Sequence, residues 1–424
     1  SGPHWNPHFG RRGPFSKGHN PSPWLEMIHL EEDGLPSSYP AKPGENGRWS
    51  LCPENAGSKK YNVHFIHTPM MLADKQGNTP AIMDEGGLIY VLHEEEAAIR
   101  KNNDLKFPLV VRSNIYDCVD WMLTSEWDDD DFSNFHASKV NTHWHFLQFD
   151  NQSSDGVITG FSNEQSVRPF TMLEKKTDKG LPLPLNTTFT KAAKKGERVI
   201  TVKNAAQYHP EIEILIGADN VGGNEVGRIK SIKGNEITLV RPLKNDHPVK
   251  DIVTVEFVRQ RFWVDSDVGT VFWHDHALGR ITWGHGGFGT MIVEPVGSTY
   301  HNPKTGAPIR SGPLADIRTA EPVGYGVNGS FRELMVQLND SVPHTINIVT
   351  AGNPPGQPVE VALEAGKTIS FPIPDHIKMT PMPFLNGGTH TTGGSLNFRA
   401  EPISGRMAAN PDMSKLFSSA VHGD

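Results

Sequence analysis

From about Tyr61 the chain alternates apolar and polar positions or runs apolar for a few residues. The segments are "YNVHFIHTPMML", "GGLIYVL", "FPLVVRSN", "DCVDWMLT" and "THWHFLQF", separated by Gly, Pro, Asn or Asp. A period of two sends successive side chains to opposite faces of a strand, and the punctuating residues supply turns. The pattern therefore predicts a mainly β protein. It resumes at "VEFVRQRFWVD", "GTVFWHDH" and "FGTMIVEP", and the two blocks together are the size of one Greek-key sandwich. One short helix is predicted at "HEEEAAIRKN".

Between the blocks, residues 185–251 pack four or five short strands and Gly/Asn turns, including the hairpin-like "SIKGNEITLV". This segment predicts a small β-barrel inserted into a loop of the sandwich, a tolerable insertion because loop closure costs grow slowly with length. His209 and His247 are expected on its surface. Residues 1–45, rich in Gly, Pro, His and Arg without apolar periodicity, form an extended arm. His4, His8 and His19 could bind metal loosely there, but a tail wrapping a neighbouring domain fits better. Residues 46–184 with 252–300 make up the sandwich. Over 301–424 an irregular connection leads to strands at "FRELMVQL", "TINIVT" and "TISFPI", the start of a further sandwich.

Composition narrows the picture. The 41 Gly and 33 Pro among 424 residues, with 36% hydrophobic residues, suit short strands and long connections rather than a helical bundle. No apolar run approaches the roughly 20 residues that span a bilayer, so a soluble or at most peripheral protein is expected. A net charge of −8 lacks the clustered cations that nucleic acid requires, and none is expected as a partner. Only Cys52 and Cys118 are present, too few for a Cys-rich zinc module. A disulfide between them would staple a sheet in an oxidising compartment, with two buried free thiols as the alternative.

The histidines carry the chemistry. Random placement of 20 His in 424 residues would give roughly one His-x-His, so a single pair means little. This chain has two in strand-like contexts: His143 and His145 in "NTHWHF", and His274 and His276 in "GTVFWHDHALG". Residues i and i+2 of a strand share a face with Cβ atoms roughly 6.5 to 7 Å apart. Each pair can converge on one ion or reach two ions of a cluster. Trp144 and Asp275 then face away, the first into packing and the second toward the ligands' supports. Imidazole suits Zn, Cu, Fe and Ni alike.

"THWHF" and "GTVFWHDHALGRITWGHGGFGTMIVEP" resemble the first two His-x-His copper motifs of multicopper oxidases. "RWSLCPENAGSKKYNVHF", "QFDNQSSDGVITGFSNEQSVRPF", "GSTYHNPKTG", "GSFREL" and "SLNFRAEP" are similar to the very large bacterial members, the manganese-oxidase-like group. The resemblance covers most of residues 48–424. It implies cupredoxin-like domains, the second of them incomplete, and a fragment carrying half of a trinuclear copper site. His143 would be a type 2 copper ligand, with His145, His274 and His276 on the type 3 pair. The family's His-Pro-x-His-x-His and His-Cys-His motifs have no counterpart, so type 1 copper is expected outside this chain. Further domains or another chain would complete the site. The implied reaction couples one-electron oxidation of a small reducing substrate, such as Mn2+ or a phenol, to reduction of O2 to water. Export is implied too, to an extracellular, periplasmic or cell-surface location.

Asp150, Asp155 and Asp275 lie near the ligands in sequence and are candidates for proton delivery, with turn formation the competing role for Asp150 and Asp155. His285 is a candidate ligand or orienter of a ligand. His64 and His67 fall on opposite faces of one strand and are expected to be structural. The run "SEWDDDDF" is a solvated loop or a cation-collecting site. Two other readings stay open: a mononuclear Zn or Cu enzyme built on both pairs, and a non-catalytic copper-binding β protein.

Overall fold

The computed structural model describes residues 56–73, 82–84, 86–127, 139–147, 155–156, 166–170, 175–176, 182–183, 186–206, 208–210, 212–277, 279–320, 329–337, 345–346, 359–364 and 367–371. The sandwich opens with β1 (Gly57–His67), β2 (Leu88–Leu92), β3 (Val110–Asn114), β4 (Asp117–Ser125) and β5 (His143–Trp144). A closed barrel follows, made of β6 (Asn186–Lys191), β7 (Val199–Val202), β8 (Glu213–Ile216), β9 (Glu225–Lys233), β10 (Glu236–Leu239) and β11 (Ile252–Thr254). The chain then returns to the sandwich with β12 (Val258–Trp263), β13 (Thr270–His274) and β14 (Phe288–Glu294). The fold is mainly β with a barrel between two blocks of sandwich strands, as the apolar pattern predicted.

The two sandwich sheets run β12-β4-β1-β2 and β3-β14-β13-β5. Each contains one parallel pair, β1 with β4 and β3 with β14. The cause is local. The chain leaves β3 in one sheet and enters β4 in the other through Ile115 and Tyr116, and Tyr116 takes a φ of 71° at that corner.

Alternation decides which side chains enter the core. Tyr61, Val63 and Phe65 of β1 face the second sheet and join Trp121 of their own sheet and Trp144 and Trp273 of the second in the main buried cluster. Trp144 lies 4.9 Å from Trp121 and 4.8 Å from Trp273 between ring centroids. Burying a large apolar side chain contributes about 1.5–3 kcal/mol, so this tryptophan group anchors the site-bearing sheet. Gly289 makes room for it, because a Cβ there would stand 2.2 Å from the Trp273 ring. The intervening residues, His64 and Ile66 of β1 and Phe272 and His274 of β13, point to the outer faces.

The barrel has its own core, including Phe189, Ile200, Ile214, Ile237 and Val253. Its β9–β10 hairpin turns at Gly234 with a φ of 59°, where the sequence placed a hairpin. One barrel expectation fails. His247 is 1% exposed rather than on the surface, because Asp251 and Glu225 take its two ring nitrogens at 2.9 and 3.1 Å. His209 is exposed, as expected.

A three-stranded sheet of β15 (Thr299–His301), β16 (Leu314–Arg318) and β17 (Phe331–Leu334) follows. Its first two strands lie in a stretch expected to be irregular; along the middle one only Ala315 and Ile317 are buried, too thin an apolar stripe to stand out. Buried Arg112 ties this sheet to the sandwich, donating from Nε to Glu333 at 2.9 Å and from Nη1 to the Gly312 carbonyl at 2.8 Å. The expected helix is present but short, α1 (Glu96–Lys101). Cys118 is buried in β4, and no cysteine among the described residues is free; Cys52 lies outside the described residues. So do residues 1–45, with His4, His8 and His19, and Asp128–Asp131. Among the described residues, no helix is long and apolar enough to cross a membrane.

Candidate metal centre

His143 and His274 sit directly opposite each other on antiparallel β5 and β13, and Trp144 opposes Trp273 in the next register position. The tryptophans fill the core, so the pleat turns both histidines outward. His145 follows one step beyond β5, held by its backbone N–H on the Phe272 carbonyl at 2.9 Å. The ring of His143 is 5.0 Å from those of His145 and His274 and 4.4 Å from that of His276. All four histidines that the sequence singled out therefore meet on one sheet face.

Their hydrogen bonds fix which nitrogens are available. His143 Nδ1 lies 2.6 Å and His276 Nδ1 3.1 Å from the same carbonyl oxygen, that of Asp155. His274 Nδ1 lies 2.9 Å from the Asp275 carbonyl. A carbonyl only accepts, so each of these Nδ1 atoms carries its proton, and each Nε2 presents a lone pair. His145 Nε2 is 3.0 Å from His274 Nε2, so the shared proton sits on His145. A metal ion would replace that proton.

Burial and the neighbouring imidazoles push His274 down to about 3. Burial likewise lowers His143, and the hydrogen bond to Asp155 only partly opposes it. Both rings are neutral at pH 7, the state that binds metal. Among the described residues, donor atoms of His143, His145 and His274 lie within 4.8 Å of one another, and so do those of His143, Asp155 and His276.

Two of the three predicted acids, Asp275 and Asp155, have a definite place. Asp275 is 0% exposed. Its Oδ1 accepts the backbone N–H groups of Asn141 and Ala277 at 3.0 and 3.1 Å, and its Oδ2 accepts the Thr282 hydroxyl at 2.8 Å. Both histidine segments are thereby clamped to one carboxylate. Asp155 adds carboxylate oxygens 3.6 Å from His143 Nδ1 and 3.2 Å from His276 Nδ1. Gly156 makes this close approach possible, with a φ of +97° and no room for a Cβ against Asn141. Asp150 lies outside the described residues. His285 is not gathered with the four: its Nδ1 is 2.8 Å from Asp84, and it belongs to none of the metal-capable groups.

Asn141 escaped the sequence reading. Its Oδ1 accepts the His276 N–H at 2.8 Å, and its Nδ2 donates to the Gly156 carbonyl at 2.6 Å. It thus joins both ligand segments to the Asp155 turn. An Asn before a strand reads as a turn residue, and only the 135-residue separation of its partner reveals the role. Trp283, 4.4 Å from the His274 ring, also escaped notice.

No protein-family model and no curated protein sequence matches the chain. Among solved structures, it is similar to a multicopper oxidase from Pseudomonas thermotolerans at 11% identity and a TM-score of 0.25, over 57% of this chain and 30% of that one. The multicopper oxidase mgLAC gives 10% and 0.25, over 64% and 50%. The laccase from Botrytis aclada gives 9% and 0.23, over 56% and 23%. The chain thus spans half or less of the length of these proteins. TM-scores this low carry no argument about function, which rests on the residues.

Proposed function

We propose that this chain is part of a multicopper oxidase and supplies half of a trinuclear copper site through His143, His145, His274 and His276. The observation that carries the reading is the convergence of four imidazoles on one face, three of them with Nδ1 committed to a backbone carbonyl. Imidazole nitrogens suit copper, and His–carbonyl hydrogen bonds are the supports that metal-binding histidines use. In this reading His143 serves the type 2 ion and the other three serve the type 3 pair. The remaining ligands and a type 1 site come from further domains or another chain.

Copper bound there would supply the one-electron steps that couple oxidation of a small reductant, such as Mn2+ or a phenol, to reduction of O2 to water. The protein's own contribution is positional. The Asp155 carbonyl orients His143 and His276, Asp275 clamps the backbone before one pair and after the other, and Trp283 packs on His274. The Asp155 carboxylate, beside two ligand rings and partly exposed, is the acid placed to pass protons between solvent and the site. The domains are a cupredoxin-like sandwich over 46–184 and 252–300, the barrel over 185–251 and a further cupredoxin-like unit over 301–424. The Cys52–Cys118 staple and an exported location belong to the same reading.

Anomalous scattering at the copper and zinc edges, on the purified assembly, tests it. Three copper peaks within about 4 to 5 Å of one another, as in multi-metal sites, are expected beside the four histidines. A single zinc peak would replace the oxidase by a mononuclear site, and no peak would remove metal chemistry from this face.

A further inference from the structure

On the other sheet of the sandwich, a second group of donors lies on the outer face of β1. His64 alternates with the core residues Val63 and Phe65 and so points away from the tryptophan core. There it meets His93, just past the end of β2, and Glu96, the first residue of α1. Donor atoms of the three lie within 4.8 Å of one another. The two imidazole rings are 4.0 Å apart between centroids, and Phe170 closes over His64 at 5.2 Å. His64 and His93 are 2% and 4% exposed.

The hydrogen bonding leaves one atom unaccounted for. His64 Nδ1 is 2.7 Å from Glu96 Oε2, and Glu96 Oε1 accepts the Arg100 Nε–H at 2.8 Å. Arg100 in turn reaches Glu126. With its proton on Nδ1 and donated to Glu96, His64 presents a bare lone pair on Nε2, and that nitrogen is buried with no hydrogen-bond partner. An orphaned buried acceptor costs about 1–3 kcal/mol. A carboxylate on one ring nitrogen and an open second nitrogen is the arrangement of histidines that bind metal. His93 Nδ1 is 3.3 Å from the Asn62 amide. Burial and the adjacent His64 push His93 down to about 4, so the His93 ring is neutral at pH 7.

We propose that His64 and His93 hold a single divalent transition ion, Zn2+ foremost, at a second metal site in which Glu96 braces the His64 ring. Two imidazoles, one of them braced by a carboxylate, match zinc and disfavour Ca2+ and Mg2+, which select oxygen ligands. Closure by Phe170 and the helix suits a structural ion that pins α1 to the sheet. The site is independent of the copper reading, because its residues lie on a different sheet and share no ligand with the four-histidine face.

The test uses the whole chain, stripped with a chelator and re-equilibrated with zinc sulfate. Zinc per chain is measured by mass spectrometry, and crystals are examined at the zinc edge. The wild type is expected to show a zinc peak beside His64 Nε2, and the His143→Ala/His274→Ala double variant is expected to keep it. Glu96→Gln is expected to weaken zinc binding about 10- to 100-fold, the usual loss when a ligand's supporting carboxylate goes. His93→Asn is expected to lose one equivalent while unfolding at the wild-type temperature in chelator. Absence of the peak in the wild type overturns the proposal without involving any variant's folding. Equal zinc content in the wild type, Glu96→Gln and His93→Asn overturns it as well. Loss of copper from the four-histidine face, with this zinc retained, would count against the oxidase reading alone.

Discussion

The outer face of β5 and β13 and the rim of the barrel each hold histidine in a sheltered place, and they use it in opposite ways. On the sandwich, His274 is surrounded by other imidazoles and its Nδ1 meets only a carbonyl, so burial wins and the ring stays neutral. In the barrel, burial also works against charge on His247, but hydrogen bonds to Glu225 and Asp251 outweigh it and raise the ring above the ordinary histidine value. One histidine is kept neutral with a lone pair on Nε2; the other is biased toward the cation, which cross-links β9 to the approach to β11. The lesson is that a buried histidine is classified by what faces its two nitrogens, and burial alone says nothing.

The comparison can be broken by exchanging the consequences. His274→Ala is expected to abolish copper capture at the sandwich face while the barrel unfolds as before, measured by copper titration of the chain. Retained copper stoichiometry would remove His274 from the ligand set. His247→Ala leaves two carboxylates facing each other without their cation, and breaking a buried pair costs about 3–5 kcal/mol. Denaturant unfolding should show that loss with copper binding untouched. The pH dependence has a definite sign: a raised histidine stabilises fully below its unfolded value of about 6.5, and the stability is lost as pH rises through the higher folded value. His247→Gln should remove that alkaline slope.

Asp275→Asn sharpens the contrast from the other side. An amide cannot accept from three donors with both its heavy atoms, so about 1–3 kcal/mol of stability should go, together with about 10- to 100-fold in copper affinity. A stability loss with copper affinity unchanged would reduce Asp275 to a purely structural clamp. The smallest effect is expected at His209. Exposed in the same barrel as His247, it should change stability by no more than about 0.5 kcal/mol when replaced by Ala, measured in the same unfolding experiment.

What could be seen in advance followed from local rules. Period two exposed the strands, the spacing of each His-x-His put its members on one face, and the Gly-Asn turn announced the β9–β10 hairpin. What could not be seen depended on partners far along the chain. The polar context "KNDHPVK" gives no hint that Glu225, 22 residues earlier, buries His247. His93, at the start of "HEEEAAIRKN", reads as a helix flank until β1 brings His64 beside it. His285 looked tied to the four histidines by its nearness to His276, yet Asp84, 201 residues away, holds it. The parallel pairs of the sandwich were likewise invisible, since strand neighbours are chosen by crossovers that leave no periodic trace.

The pairing of His143 with His274, and of Trp144 with Trp273, also sets how the gene can tolerate change. A strand only two residues long has no spare register. Losing one codon just before His143, with the following chain drawn back to close the gap, would offer Trp144 to the outside and His143 to the core, an error of parity that no side-chain repacking repairs. Losing two codons would keep each residue type on its proper face and only slide the ladder. Over this stretch, selection should therefore reject odd changes in length more severely than even ones, and more severely than most substitutions.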